Sequence, residues 1–216
     1  MHDHTRANVG LSMLVIMAGL PGTGKSTVAQ ALAHTLPGAL LDKDIIRAAL
    51  FAPAHVEYSI EQDDFCQEIM LQTAAYLLAK NPSLCVILDG RTFSRRYRRQ
   101  RVFEFCAQMK TQWAILECVC AEETALRRLQ EAAGQQIHPA TNRTPDLYRE
   151  IRKTWESIES PKLVLDTEAD PTLCAERAAQ YLAKISNESN PAPDEGRRVK
   201  SPEKRTGSPA SGNSSE

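Results

Sequence analysis

The chain has 216 residues, with 26 Lys and Arg against 27 Asp and Glu and a formal net charge of −1. That length suits one compact α/β domain with a sizeable core, and that balance excludes a global field drawing in nucleic acid or an anionic membrane. No apolar run approaches the ~20 residues that span a bilayer. No signal peptide is expected, because the short apolar stretch near the N-terminus runs straight into a glycine-rich loop. The six cysteines form no C-x-x-C pair. Cys85, Cys118 and Cys120 lie in strand-like apolar runs and Cys66, Cys106 and Cys174 in helix-like ones, the pattern of buried thiols in a reducing, cytoplasmic setting.

In chain order, residues 1–11 read as a flexible leader and 12–186 as one domain. The apolar run Leu14-Val15-Ile16-Met17-Ala18 predicts a strand. Gly19-Leu20-Pro21-Gly22-Thr23-Gly24-Lys25-Ser26-Thr27 follows, and a helical pattern runs on to Leu36. Strand, G-x-x-x-x-G-K-S turn and helix, in that order, make a phosphate-binding loop. Its backbone N–H groups from Gly22 through Thr27 face one anion, helped by the helix N-terminus. The Lys25 charge reaches the β- and γ-phosphates and the Ser26 hydroxyl sits on Mg²⁺.

Ala39-Leu40-Leu41 predicts a second strand ending at Asp42-Lys43-Asp44, with Asp44 as N-cap of a helix that Pro53 breaks. Ser59, with Gln62 three residues on, opens a long helix to Lys80. Leu84 to Leu88 is a continuous apolar run, the mark of a buried parallel strand, ending at Asp89-Gly90. A helix over Ser94–Lys110, a strand over Trp113–Val119 and a helix over Glu122–Ala133 follow, the last stopped by Gly134. The polar stretch 134–144 is expected to be a small lid. Thr144 caps a helix that opens with Pro145 and continues towards Ser160. Leu163-Val164-Leu165 is the last strand, ending at Asp166-Thr167, and a final helix runs from Asp170-Pro171 to about Ile185. In 187–216 apolar residues almost vanish, so a disordered tail is expected. The alternation predicts a three-layer sandwich of the P-loop NTPase type, with about five parallel strands and helices on both faces. Ligands in such sheets sit at the carboxyl ends of the strands.

Phosphoryl transfer needs a phosphate cradle, a metal, a positioned nucleophile and cations for the developing charge. Asp42 and Asp44 end the second strand, where a carboxylate can accept a proton from a substrate hydroxyl. Spacing alone leaves open which of the two faces the site. Arg47, three residues after Asp44, is a candidate substrate contact. Asp89 stands where an acid would hold Mg²⁺. From Arg91 to Arg101 six arginines fall in eleven residues with no acid among them. Those nearest Arg91 and Thr92 are candidates for an anionic substrate, and a polynucleotide end is a possible, less favoured, ligand of the patch. Arg127 and Arg128 precede the lid and Arg143 lies in it, as cations that closure would bring to the phosphates.

These segments together resemble the small P-loop kinases related to the 5′-kinase domain of polynucleotide kinase, chloramphenicol phosphotransferase, zeta toxin, gluconate kinase and adenylylsulfate kinase. The likeness lies in the loop Gly19–Thr27, in Leu41-Asp42-Lys43-Asp44-Ile45-Ile46-Arg47, in Val86-Ile87-Leu88-Asp89-Gly90-Arg91-Thr92 and in Leu163-Val164-Leu165-Asp166-Thr167. It implies ATP and Mg²⁺ as cofactors, Asp44 as base, Arg47 as substrate-binding arginine, Arg128 of Arg128-Leu129 near the nucleotide, and Asp166 and Thr167 near its base. Many relatives carry a second Arg a helical turn later. Here Gln130-Glu131-Ala132-Ala133 follow, and Arg143 is the remaining candidate. The expectation is an ATP-dependent kinase acting on a hydroxyl of a small molecule. A polynucleotide 5′-hydroxyl kinase and a nucleotide-binding switch are the alternatives.

Overall fold

Strand β1 (Met13–Ala18) is buried along its whole length, and alternation sends its side chains into two different cores. Met13, Val15 and Met17 pack with α1 (Lys25–Thr35) and α7 (Pro171–Ser186) on one face. Leu14, Ile16 and Ala18 pack with α3 (Ile60–Lys80) and α4 (Arg96–Met109) on the other. A strand apolar on both sides is what a sheet covered by helices on both faces requires. The computed structural model describes residues 12–135, 142–159 and 161–186. The expected leader and tail, and most of the expected lid, lie outside the described residues.

The sheet is five-stranded and parallel, in the order β2-β3-β1-β4-β5, with β2 (Gly38–Asp42), β3 (Cys85–Asp89), β4 (Gln112–Val119) and β5 (Leu163–Asp166). This is the three-layer α/β sandwich. β1 has β3 on one side and β4 on the other, so the loop after β1 opens at the point where the strand order reverses. The β2–β3 register ends by setting Asp42 directly beside Asp89. α5 (Glu122–Gln135) and α6 (Pro145–Lys153) close a small third cluster of Ala125, Leu129 and Tyr148 against Leu20 of the loop.

Four local expectations are corrected. Asp42, not Asp44, caps α2 (Lys43–Leu50): its backbone is extended and its Oδ1 accepts from the N–H groups of Asp44 at 2.7 Å and Ile45 at 3.2 Å. The strand therefore passes into the helix with no linker. α4 starts at Arg96 rather than Ser94, because Phe93 turns to φ +51° to bury its ring in the core. α5 runs through Gly134 instead of stopping there. α6 ends at Lys153, after which the chain crosses to the turn before α4, where Glu156 N–H donates to the Ser94 carbonyl at 3.0 Å. The Ser59 cap is found, its Oγ accepting from Gln62 N–H at 3.1 Å, but the Gln62 amide oxygen accepts from Glu57 N–H rather than Ser59 N–H.

Gly90 lets the ends of β2 and β3 come this close. It has φ +82°, and a Cβ there would lie 2.7 Å from Lys43 N and 2.9 Å from Asp42 Oδ1. Gly90→Ala is therefore expected to destabilise the protein by about 1–3 kcal/mol. Urea unfolding should show a lower midpoint with an unchanged slope. Gly38→Ala, where the nearest atom is 3.3 Å away, should lose less.

Candidate active site

The glycine-rich loop leaves β1 at Gly19, where a Cβ would lie 2.4 Å from the Cys118 carbonyl oxygen, so only glycine permits the turn against β4. Gly19 N–H donates to Thr92 O at 3.1 Å, and the Thr23 hydroxyl donates to Leu20 O at 2.8 Å. The loop ends at Gly24, the N-cap of α1. Lys25 Nζ folds back to donate to Gly19 O at 2.9 Å and Leu20 O at 2.7 Å. Gly22 and Thr23 are buried in the loop, Ser26 is half-buried, and Thr27 is exposed on the first turn of α1.

A cleft of about 230 Å³ opens beside the loop, and eight of the predicted site residues line it: Lys25, Ser26, Asp44, Arg47, Asp89, Arg91, Thr92 and Arg143. Asp42 does not reach it. Its Oδ1 caps α2, and of the two candidate acids it is Asp44, in the first turn of that helix, that lines the cleft. Burial, followed by the neighbouring Asp89 charge, raises the Asp42 pKa above the usual carboxylate range.

Arg128, Thr167 and Asp166 stand on the other side of the loop. Arg128 donates to Thr167 Oγ1 at 3.2 Å and to Thr167 O at 2.8 Å, and the Thr167 hydroxyl donates to Thr23 O at 2.9 Å. This strut ties the end of β5 to the start of α1. Asp166 is exposed and accepts from Glu168 N–H at 3.0 Å, forming a turn.

Asp89 is fully buried, and neither carboxylate oxygen has a hydrogen-bond partner among the described residues. Such a group costs several kcal/mol unless a cation compensates it. The described residues hold no group of three or more His, Cys, Asp or Glu side chains placed to hold a metal ion among themselves. One carboxylate and one hydroxyl, from Asp89 and Ser26, suit Mg²⁺, which keeps several waters and takes phosphate oxygens as ligands.

Across the cleft stands a buried ionic square that the sequence did not reveal. Arg47 donates to Asp44 Oδ1 at 2.8 Å and to Asp63 of α3, while Lys43 lies 2.7 Å from Asp63 and 3.3 Å from Asp44. The Arg47 guanidinium also lies 5.0 Å from the centre of the Tyr58 ring. In sequence Asp63 is an ordinary first-turn acid. Only its placement on a helix that folds back over α2 makes it a site residue.

The arginine run is dispersed. Arg91 is buried and donates to Asp63 O at 3.1 Å, Gln67 Oε1 at 2.9 Å and Asp64. Arg99 is buried and donates to Phe93 O at 2.6 Å and Ser157 O at 3.1 Å. Arg95 pairs with Glu156 and Arg101 with Glu68. Of the remaining two, Arg98 reaches the cleft and Arg96 is exposed. A second cavity, about 370 Å³, lies behind the loop beside Tyr148 and Trp155, but its acid, Glu117, is already paired with Lys162 at 2.7 Å.

Burial lowers the Lys25 amine from 10.5 to about 8, with Asp89 opposing the shift and Arg143 reinforcing it. Between those two values the unfolded chain keeps this proton and the folded chain releases it. This group therefore makes stability rise with pH across that window. An anion on the loop restores the charge. Binding of Mg²⁺-ATP at about pH 9 should take up about 0.9 proton at this site. Calorimetry in buffers of different ionisation heat measures the uptake, and Lys25→Met should abolish it.

The chain is similar over 120 residues, at 27% identity, to the cytidylate kinase of Shigella boydii, covering 55% of this chain and 53% of that one. It thus spans about half the length of the curated relatives it matches. Among solved structures it is similar in fold to a gluconokinase from Sinorhizobium meliloti (TM-score 0.61, 15% identity, covering 82% of this chain and 95% of that one). The APS kinase of Mycobacterium tuberculosis, solved with AMPPNP and APS, is similar as well (TM-score 0.57, 19% identity, 79% and 96% covered). The fold is that of the small P-loop kinases. An AAA domain family model matches residues 14–138, more than half of the chain, and the protein belongs to that family.

Proposed function

We propose that this protein is an ATP- and Mg²⁺-dependent kinase that transfers the γ-phosphate to a hydroxyl of a small-molecule acceptor. One observation carries the reading: Asp44 and Arg47 face the Lys25–Ser26 loop across a cleft that also holds the unpartnered Asp89 carboxylate. Mg²⁺ held by Ser26 and Asp89 would supply charge neutralisation at the β- and γ-phosphates. The loop N–H groups and Lys25 bind the phosphates, and Arg143 meets charge developing in transfer. Arg128 sits beside the loop on the nucleotide side. Asp44, fixed by Arg47 and Lys43, accepts the proton of the acceptor hydroxyl. Arg47 and Arg91 shape the acceptor wall. All six cysteines are free, in keeping with a cytoplasmic setting. The arginines of the Arg91–Arg101 run do not share one face, which weighs against a polynucleotide end as the acceptor. The likeness to cytidylate kinases favours a second reading, in which the acceptor oxygen belongs to a phosphate of a nucleotide.

The test is ATP-dependent transfer to a panel of polyols, sugar acids, nucleosides, nucleotides and 5′-hydroxyl oligonucleotides, with products identified by phosphorus NMR. A phosphomonoester supports the first reading and an anhydride the second. Nucleotide hydrolysis with no transfer to any acceptor would support a switch. Asp44→Asn should lower kcat by about 10²–10⁴ with AMPPNP affinity retained; full activity in this variant removes the base. Asp89→Asn should fold at least as stably without metal, since a costly buried charge is gone, yet lose Mg²⁺-dependent transfer.

A further inference from the structure

We infer that the acceptor carries an anionic group and that Arg98 is its anchor, a conclusion that rests on the kinase reading above. The charges of the cleft fall into two groups. On the phosphate side Lys25 and Arg143 outnumber Asp89, a surplus that a magnesium-bound triphosphate would neutralise. On the acceptor side Lys43, Arg47 and Arg91 are matched by Asp44, Asp63 and Asp64 through direct ion pairs. Arg98 reaches the same cleft from the first turn of α4 and completes no such pair. Its Nε donates to the Tyr97 hydroxyl at 2.9 Å, its guanidinium lies 5.4 Å from the Tyr97 ring centre, and no carboxylate among the described residues lies within ion-pair distance of it. Tyr97 is neutral. On its other side Arg98 lines a groove with Asp64, Glu68, Arg101 and Glu104, but none of these carboxylates pairs with it, so Arg98 is the cation of the acceptor wall left without a direct ion pair among the described residues.

The position of that charge assigns it to the acceptor rather than the nucleotide. Arg98 lines the cleft together with Arg91 and Thr92, and on its other side it lines a groove with Asp64 and Gln67, the side chains that hold Arg91. Arg91 is held by its own acceptors, whereas the two Nη groups of Arg98 complete no bond among the described residues and can meet a carboxylate, phosphate or sulfate. The cleft of about 230 Å³ is shared with the phosphate side, and its acceptor wall of Asp44, Arg47, Arg91 and Arg98 suits a hydroxylated anion. A small hydroxy acid and a small phosphate ester share that chemistry.

The full-length protein is saturated with Mg²⁺-AMPPNP, so that the phosphate loop is filled. It is then titrated at constant ionic strength with inorganic phosphate, gluconate and glycerol phosphate, and in parallel with the neutral glucitol and glycerol. Binding is followed by calorimetry and thermal shift. The anions should bind and raise Tm, with the neutral partners at least tenfold weaker. Arg98→Gln should weaken anion binding at least tenfold, Arg98→Lys should recover part of the loss, and Arg96→Gln on the exposed face should change nothing. AMPPNP affinity should be the same in all variants. A preference for gluconate over glycerol phosphate assigns a carboxylate, and the reverse assigns a phosphate ester. Equal binding of charged and neutral partners, or anion binding that survives in Arg98→Gln, overturns the anchor even if the enzyme is a kinase. The kinase reading itself stands or falls separately, on Asp44→Asn.

Discussion

A buried carboxylate without a hydrogen-bond partner among the described residues sets the terms for the carboxyl edge of this sheet. Asp89 ends β3 between β1 and β2, fully buried, with no hydrogen bond to either oxygen from the described residues. Beside it in register is a second carboxylate, Asp42. The two are stabilised differently. Asp42 receives two N–H groups at the start of α2, where the helix dipole also favours negative charge. Asp89 has only the opposed charge of Lys25, itself stripped of water and bonded to the carbonyls of its own loop. On the kinase reading proposed above, Mg²⁺ and a triphosphate would supply the compensating charge at these buried groups, and because the groups are fixed beforehand little reorganisation would be needed.

The arginine run shows the same economy of burial. In sequence it is a basic stretch without an acid, and a helix turning 100° per residue was bound to split it. The structure goes further, because Phe93 leaves the helical region to fill the core and so places Arg91 and Arg95 outside the helix. Arg99, three residues into α4, then becomes a knot: its two bonds hold the Phe93 turn to the chain that returns from α6. The six arginines become a structural bolt, a wall of the cleft, two surface ion pairs, one exposed cation and one that reaches the cleft.

The five strands, the phosphate loop and Asp89 were legible because each is a local pattern: an apolar run of strand length, glycines at fixed spacing, an acid where the run ends. The Thr144-Pro145 helix start was legible for the same reason, and Thr144 Oγ1 does accept from Leu147 N–H at 3.2 Å. The cap of α2 was misplaced because a strand can pass into a helix with no residue between them, and the sequence does not mark the last ladder pair. Asp63, Tyr58 and Lys43 were missed because their roles come from α3 folding back over α2, a contact with no local signature. Which face of the loop holds Arg128 and Thr167 was likewise out of reach of spacing.

That last distinction separates two arginines that look equivalent in sequence. Arg128 is fixed by two hydrogen bonds to Thr167, which the Thr23 carbonyl anchors in turn, so its charge is in place before any nucleotide arrives. Arg143 has no such strut among the described residues. It enters the cleft on the approach to α6, whose Leu147 and Ile151 line the same space. The helix is held through Tyr148, packed with Ala125 and Leu129 of α5 and against Leu20 of the phosphate loop. Arg143 is therefore positioned by the same small apolar cluster that supports the loop. A change in the loop bears on that cation through packing as well as through charge. On the kinase reading proposed above, Arg128 would serve ground-state binding of the nucleotide, and Arg143, whose place depends on how α6 sits, would be the cation that responds when the cleft fills.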